Sequence, residues 1–124
     1  MPQTITIDAP EKALEPTALL FRALSETPRI RILNLLAQSG EVCNCQIEQV
    51  TGYGNSKISR HLAFLKNAGL IQDRRNWVWI YYSITPAGSH VHELIHQILD
   101  TLPEEHELLR ADTEKLKSCC SSDA

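Results

Sequence analysis

Residues 51–71, TGYGNSKISRHLAFLKNAGLI, decide the fold. The opening TGYGN sets two glycines around Tyr53 and breaks the chain sharply. From Ser56 a helical period resumes, with Ile58, Leu62 and Leu65 on one face and Lys57, Ser59, Arg60 and Lys66 largely off it. Gly69 is the expected terminator. Just upstream a short helix is expected from about Cys45 to Thr51. Two helices joined by a tight glycine-bearing turn, with polar and basic residues exposed on the second, make a helix-turn-helix.

Working outward from that unit, the period changes from helical to extended after Leu70. IQDRR and WVWIYYSI are rich in β-branched and aromatic residues, and Asn76 with Trp77 between them predicts a tight turn, hence a β-hairpin. Beyond Pro86 and Gly88 a helix returns, with Val91, Leu94, Ile95, Ile98 and Leu102 apolar, until Pro103 interrupts it. A last charged helix then leads to Cys119 and Cys120. Towards the N-terminus, Leu14, Ala18, Phe21 and Leu24 recur at helical spacing. Thr27 as cap, Pro28 in the first turn and the stripe Ile30, Leu33, Leu36 and Ala37 predict a second helix ended by Gly40. The expected organisation is a flexible tail over residues 1–10, one domain over 11–102, and a terminal helix with a Cys-Cys tail over 103–124. The fold class is mainly α with a small β-hairpin.

A chain of 124 residues with 43% hydrophobic content buries one modest core. The first sixteen residues lack the basic start and apolar run of a secretion signal, and no apolar stretch is long enough to cross a bilayer, so a cytoplasmic protein without membrane contact is expected. In that reducing compartment four cysteines read as thiols or metal ligands rather than a disulfide framework.

The net charge of −3 argues against a polyanion partner until the charges are placed along the chain. Between Thr51 and Tyr82 five basic residues face one acidic residue, Asp73, whereas the remainder carries seven basic and fourteen acidic residues. Phosphates respond to the local field, so this basic middle points to local contact with a polyanion, which together with the helix-turn-helix reads as double-stranded DNA. The first exposed turns of a helix in the major groove supply the side chains that reach base edges. Here those are Asn55, Ser56, Lys57, Ser59 and Arg60: Arg60 suits guanine, Asn55 suits adenine, and the serines suit phosphate equally well. Arg74 and Arg75, at the start of the hairpin, are placed for the backbone. The competing reading is a solvated helix with idle cations. His61, beside Leu62, reads as a packing residue.

LFRALSETPRIRILNLLAQSGEVCNC, then SKISRHLAFLKNAGLIQDRR and the WVWIYYSI hairpin, strongly resembles the ArsR/SmtB family of winged-helix, metal- and metalloid-responsive repressors, over about Leu20 to Ile84. The resemblance implies a winged helix-turn-helix that dimerises with a second copy through its first and long post-hairpin helices. It further implies binding to an imperfect palindromic operator and release when an inducer binds. In the wing, Asn76 and Trp77 stand where such hairpins often have a glycine. Trp77 is therefore expected at the tip, either packed on the hairpin base or against the sugar-phosphate wall.

The sensing element is EVCNC, residues 41–45. Paired thiolates favour soft acceptors, so Cys43 and Cys45 point to arsenic(III) or antimony(III), cadmium, zinc or copper(I). A helix N-terminus also favours the thiolate. Successive helical residues turn by about 100°, so thiols two apart diverge, and joint ligation requires an irregular or unwound helix start. Arsenic-responsive members resemble ELCVCDL with a third cysteine three residues on, where this chain has Glu48. Cys119 and Cys120 are the remaining candidates. One of them would complete a three-sulfur arsenite or antimonite site, both a four-sulfur cadmium or zinc site, and neither would leave two sulfurs for an organoarsenical. A thiol-redox switch is a further reading. His92 and His96 share a helix face with His90 and His106 near in sequence, but the family's Asp-x-His and later His-x-x-Glu order is missing. No general base, oxyanion donor or phosphate loop accompanies the thiols, so an enzyme is not expected.

Overall fold

The computed structural model describes residues 8–120. In chain order the elements are α1 (Asp8–Lys12), α2 (Glu15–Ala23), α3 (Thr27–Ser39), β1 (Val42–Cys43), α4 (Asn44–Thr51), α5 (Asn55–Asn67), β2 (Ile71–Asn76), β3 (Trp79–Ile84), α6 (His90–Glu105) and α7 (Glu107–Cys120). Helices α4 and α5 are the helix-turn-helix, and β2–β3 is the wing. Of the expected N-terminal tail, residues 1–7 lie outside the described residues, whereas residues 8–10 belong to α1.

The core is built from the apolar stripes of these elements. Ile32, Leu33, Leu35 and Leu36 of α3 meet Ile47 and Val50 of α4, Ile58, Leu62 and Leu65 of α5, and Ile95 and Leu99 of α6. Leu70 and Ile71 carry the same core into the wing. Helix α7 is fastened to α3 by polar groups as well: Asn34 Nδ2 donates to the Leu109 carbonyl at 3.1 Å and to Thr113 Oγ1 at 3.3 Å.

Four details depart from the sequence reading. The sheet has three strands in the order β1-β3-β2, all antiparallel, because Val42 pairs with Tyr82 and Cys43 with Tyr81. A two-residue strand has no alternation to read. The wing pairs Asn76 with Trp79, so the loop is Trp77–Val78, one residue later than expected. Trp77 takes φ 64° there, and Val78 does not follow it into positive φ, the sign pattern of a type II′ turn. Glu26, not Thr27, occupies the cap position of α3, with Thr27 and Pro28 already inside the first turn. Finally, α6 runs through Pro103 and ends at Glu105, with His106 as its C-cap. Only two helical residues follow the proline, and Arg110 Nη1 donates to the Pro103 carbonyl at 2.6 Å, which limits the unsatisfied backbone.

Helices α2 and α6 bury only part of their apolar surface. In α2, Leu20 and Ala23 are buried while Phe21, and Leu14 just before the helix, remain exposed. In α6, Ile95 and Leu99 are buried while Leu94 and Ile98 are exposed. Among the described residues no helix is long and apolar enough to cross a membrane.

Candidate nucleic-acid interface and thiol strip

Gly52, at φ 78° in the left-handed region, ends α4, and Gly54 caps α5 two residues later, so the turn is made as the two glycines suggest. Asn55, Ser56, Ser59 and Arg60 are exposed on the first turns of α5, and Lys57 is half-buried. The structure thus gathers all five on one end of the reading helix. Two have partners that local spacing does not reveal. The Asn55 side-chain oxygen accepts from Asn44 Nδ2 at 3.0 Å. The Lys57 ammonium lies 4.1 Å from the ring centroid of Tyr53, the residue between the two glycines.

The two wing arginines face opposite ways. Arg75 is paired with Ile80 and shares its face with Asp73, whereas Arg74 is opposite Tyr81 on the other face. Arg74 Nε and Nη2 donate to the two oxygens of Glu41 at 2.7 and 2.8 Å, and the guanidinium stacks 5.1 Å from the Tyr81 centroid. Hydrogen bonding from Arg74 holds the Glu41 carboxyl below its ordinary range. Lys66 is likewise engaged, by Asp73 at 2.9 Å. Among the described residues Arg60 and Arg75 make no ion pair. Trp77, at 86% exposure, stands at the wing tip beside exposed Val78 and Trp79.

The thiol strip begins where Glu41 reaches the wing. Cys43 ends β1 and is also the N-cap of α4, with extended backbone at φ −89° and ψ 163°. Its N–H donates to Gln46 Oε1 at 2.9 Å, and its sulfur stands over the Gln46 N–H, which completes a capping box. Cys43 is 5% exposed, whereas Cys45, in the first turn, is exposed. Both thiols therefore sit at the N-terminus of α4, as their place before the expected helix suggests, and the helix begins at Asn44, one residue earlier than expected. Cys43 lies in the strand-to-helix junction, and what separates the thiols is burial beneath the sheet on one side and solvent on the other. Two sulfurs at this spacing suit a soft thiophilic ion, provided that the Cys43 sulfur leaves its cap. Cys119 and Cys120 fall in the last turn of α7, and their side chains lie outside the described residues. Among the described residues no three His, Cys, Asp or Glu side chains gather to hold an ion.

His92 and His96 pack edge to face, with ring centroids 4.6 Å apart at 73°. The Gly88 N–H donates to His92 Nδ1 at 3.2 Å. That bond places the proton of the neutral ring on Nε2, which leaves no lone pair there for a metal. Burial, with His96 adding to it, pushes the His92 imidazole below its ordinary range. His61 is a buried packing residue. Its Nδ1 lies 3.3 Å from Arg29 Nη1, and burial followed by the nearby cation lowers its imidazole. Arg29 in turn stacks 4.1 Å from the Phe64 centroid and donates to the Ala23 and Arg22 carbonyls, tying α2, α3 and α5 together.

The arrangement is a helix-turn-helix whose reading helix and wing are both joined to a five-residue strip bearing two thiols. Comparison with known proteins points the same way. Residues 27–73 match the family described as bacterial regulatory protein, arsR family. The chain is 40% identical over 68 residues to an arsenic resistance transcriptional regulator of Pseudomonas putida, spanning about half that protein's length (53%) and 55% of its own. It is 33% identical to the arsenical resistance operon repressor of Escherichia coli, covering 80% of this chain and 77% of that one. A cadmium resistance regulatory protein homolog of Staphylococcus aureus is 32% identical over 64% of each chain. Among solved structures, the homodimeric winged helix-turn-helix DNA-binding domain of a possible ArsR-family regulator from Mycobacterium bovis superimposes with TM-score 0.64 at 30% identity, covering 84% of this chain and 96% of that one. The chain belongs to the arsR family of bacterial regulatory proteins, DNA-binding transcriptional regulators of winged helix-turn-helix fold.

Proposed function

We propose that this regulator is a homodimeric repressor that holds an imperfect palindromic operator and releases it when a trivalent arsenical, arsenite or antimonite or an organoarsenical, binds Cys43 and Cys45. The observation that carries the reading is the position of Asn44: it lies between the two thiols and its amide is hydrogen-bonded to Asn55, the first residue of the reading helix. An ion gripping both sulfurs must draw Cys43 out of the cap of α4 and turn the intervening residue, which breaks that bond. Glu41 adds a second link, to Arg74 of the wing. Ligation thus reaches both DNA-facing elements through one strip.

In this reading Asn55, Ser56, Lys57, Ser59 and Arg60 contact bases and phosphates in the major groove, and Arg75 contacts the backbone from the wing. Arg74, engaged by Glu41, contacts it only where DNA competes for the guanidinium. The exposed apolar residues Leu14, Phe21, Leu94 and Ile98 form the dimer face, since an unpartnered stripe on two terminal helices is covered by a second copy. One tail thiol, Cys119 or Cys120, supplies the third sulfur for arsenite. Should both contribute, the site becomes four-sulfur and suits cadmium or zinc, a second reading that the cadmium-resistance relative favours.

The test uses a duplex selected by the wild-type protein from a randomised 30-base-pair library. Reduced protein on that duplex is titrated with arsenite, phenylarsenite, cadmium and zinc while fluorescence anisotropy follows release. Arsenicals are expected to release wild-type protein and not Cys43→Ser or Cys45→Ser. The variant lacking both tail thiols should respond to phenylarsenite but not to arsenite. Release of Cys45→Ser at wild-type arsenite concentrations sinks the proposal, and release by cadmium alone replaces it with the second reading.

A further inference from the structure

Tyr53, in the turn between α4 and α5, has two cations for neighbours, Lys57 on α5 and Arg31 on α3. The Lys57 ammonium is 4.1 Å from the ring centroid, and the Arg31 guanidinium is 5.2 Å from it. Arg31 Nη1 also donates to the Tyr53 hydroxyl at 3.2 Å. The ring is held at its backbone end as well, because the Tyr53 N–H donates to Thr51 Oγ1 at 3.2 Å.

Arg31 has little freedom of its own. Its Nε and Nη2 donate to the two carboxylate oxygens of Asp112 on α7 at 2.8 and 2.9 Å, and Asp112 is 3% exposed. Such a bidentate pair fixes orientation as well as charge, and it holds the Arg31 guanidinium above its ordinary range. An unbroken series of contacts therefore runs from the last helix, through Arg31 and the Tyr53 ring, to a cation on the first turn of the reading helix.

A lysine side chain at a DNA-facing position samples many rotamers, and losing that freedom on binding weakens affinity. A ring face that attracts the ammonium narrows the choice beforehand. We infer that Tyr53 is a positioning residue for Lys57, and that the part-buried Arg31–Asp112 pair, by holding the ring, makes α7 a determinant of DNA affinity. The inference rests on the reading of Lys57 as a DNA contact.

The test is a double-mutant cycle on the selected duplex, with dissociation constants measured at two salt concentrations and thermal melts run beside them. Lys57→Gln should weaken binding and flatten the dependence of log K on log salt, since a phosphate contact is lost in each half-site. Tyr53→Leu should weaken binding about threefold per half-site, about tenfold for two, whereas Tyr53→Phe, which keeps the ring face, should stay within about twofold of wild type. In the Lys57→Gln background Tyr53→Leu should have almost no further effect. Asp112→Asn should behave likewise, weakening the wild type but not the Lys57→Gln protein, and it carries the test if Tyr53→Leu fails to fold.

Equal losses from Tyr53→Leu, or from Asp112→Asn, in both backgrounds overturn the inference, because a general loosening of the fold adds to the Lys57 effect instead of vanishing with it. Unchanged affinity and salt slope in Lys57→Gln overturns the DNA-contact reading itself, and the inference with it.

Discussion

The cap of α4 makes the strength of inducer coupling calculable. Cys43 is both the N-cap of α4 and one of two proposed ligands, so its sulfur cannot serve the Gln46 N–H and an arsenical at once. Losing an N-cap interaction costs about 1 kcal/mol. If losing the cap costs the DNA complex that same energy, the operator weakens about fivefold per protomer and about thirtyfold for a dimer. Cys43→Ser keeps a good capping oxygen while removing the ligand, so its melting temperature should stay near wild type with the response abolished. Cys43→Ala removes both, and for 124 residues a loss of about 1 kcal/mol lowers the melting temperature by about 4 °C. Gln46→Ala deletes the other arm of the box and leaves both thiols. It should weaken the operator without inducer and shrink the release factor, since part of the distortion has already happened. Differential scanning fluorimetry and anisotropy titrations with phenylarsenite read these quantities on one set of proteins. Wild-type stability in Cys43→Ala, together with a full release factor in Gln46→Ala, would refute the reasoning, because the cap would then be neither stabilising nor spent.

Three further outcomes follow from single contacts. Glu41→Gln frees Arg74 from its bidentate partner, so the slope of log K against log salt should steepen by about one per phosphate newly met; an unchanged slope means that Arg74 never reaches DNA. Trp77 combines φ 64° with 86% exposure, so Trp77→Gly should relieve backbone strain without loss of packing and stabilise by about 1 kcal/mol, and a lower melting temperature contradicts that account. Burial holds His61 and His92 below their ordinary range, so the unfolded chain binds more protons than the folded one in mildly acidic solution. Stability should be full above about pH 6.5 and fall as pH drops below it; melts on wild type and His61→Gln between pH 7.5 and 5.5 check this, and a pH-independent wild type speaks against it.

What was legible in the sequence followed from periodicity within one element. Ile58, Leu62 and Leu65 mark the buried face of α5, and the change to β-branched and aromatic residues after Leu70 marks the wing. Periodicity was less informative where an apolar stripe is wider than one core needs. At α2 the expected face of Leu14 and Phe21 is exposed while Leu20 and Ala23 are buried, because the apolar stripe is wider than the side that meets the chain's own core. Strand β1 escaped notice since two residues have no period, and with it went the contact from Glu41 to Arg74, which joins positions 33 apart. That ion pair depends on the register of β1 against β3, a property of the assembled sheet that neither segment contains.

The thiol motif itself was plain from spacing, but its leverage was not. On a regular helix, two cysteines either side of Asn44 would need unwinding to meet, and the effect on DNA would pass through the body of α4. The strand-to-helix junction offers a shorter route. Backbone at Cys43 is extended and pairs with Tyr81, so a shift of this one residue alters the strand that pairs with the wing and the first turn of α4 together. Asn44 then transmits the helical part to Asn55, and Glu41 the strand part to Arg74. Interfaces of this kind hold one of two arrangements and do not deform smoothly. In the proposed mechanism a ligand that prefers the uncapped arrangement would therefore loosen reading helix and wing in one step, which two sulfurs in mid-helix could not do.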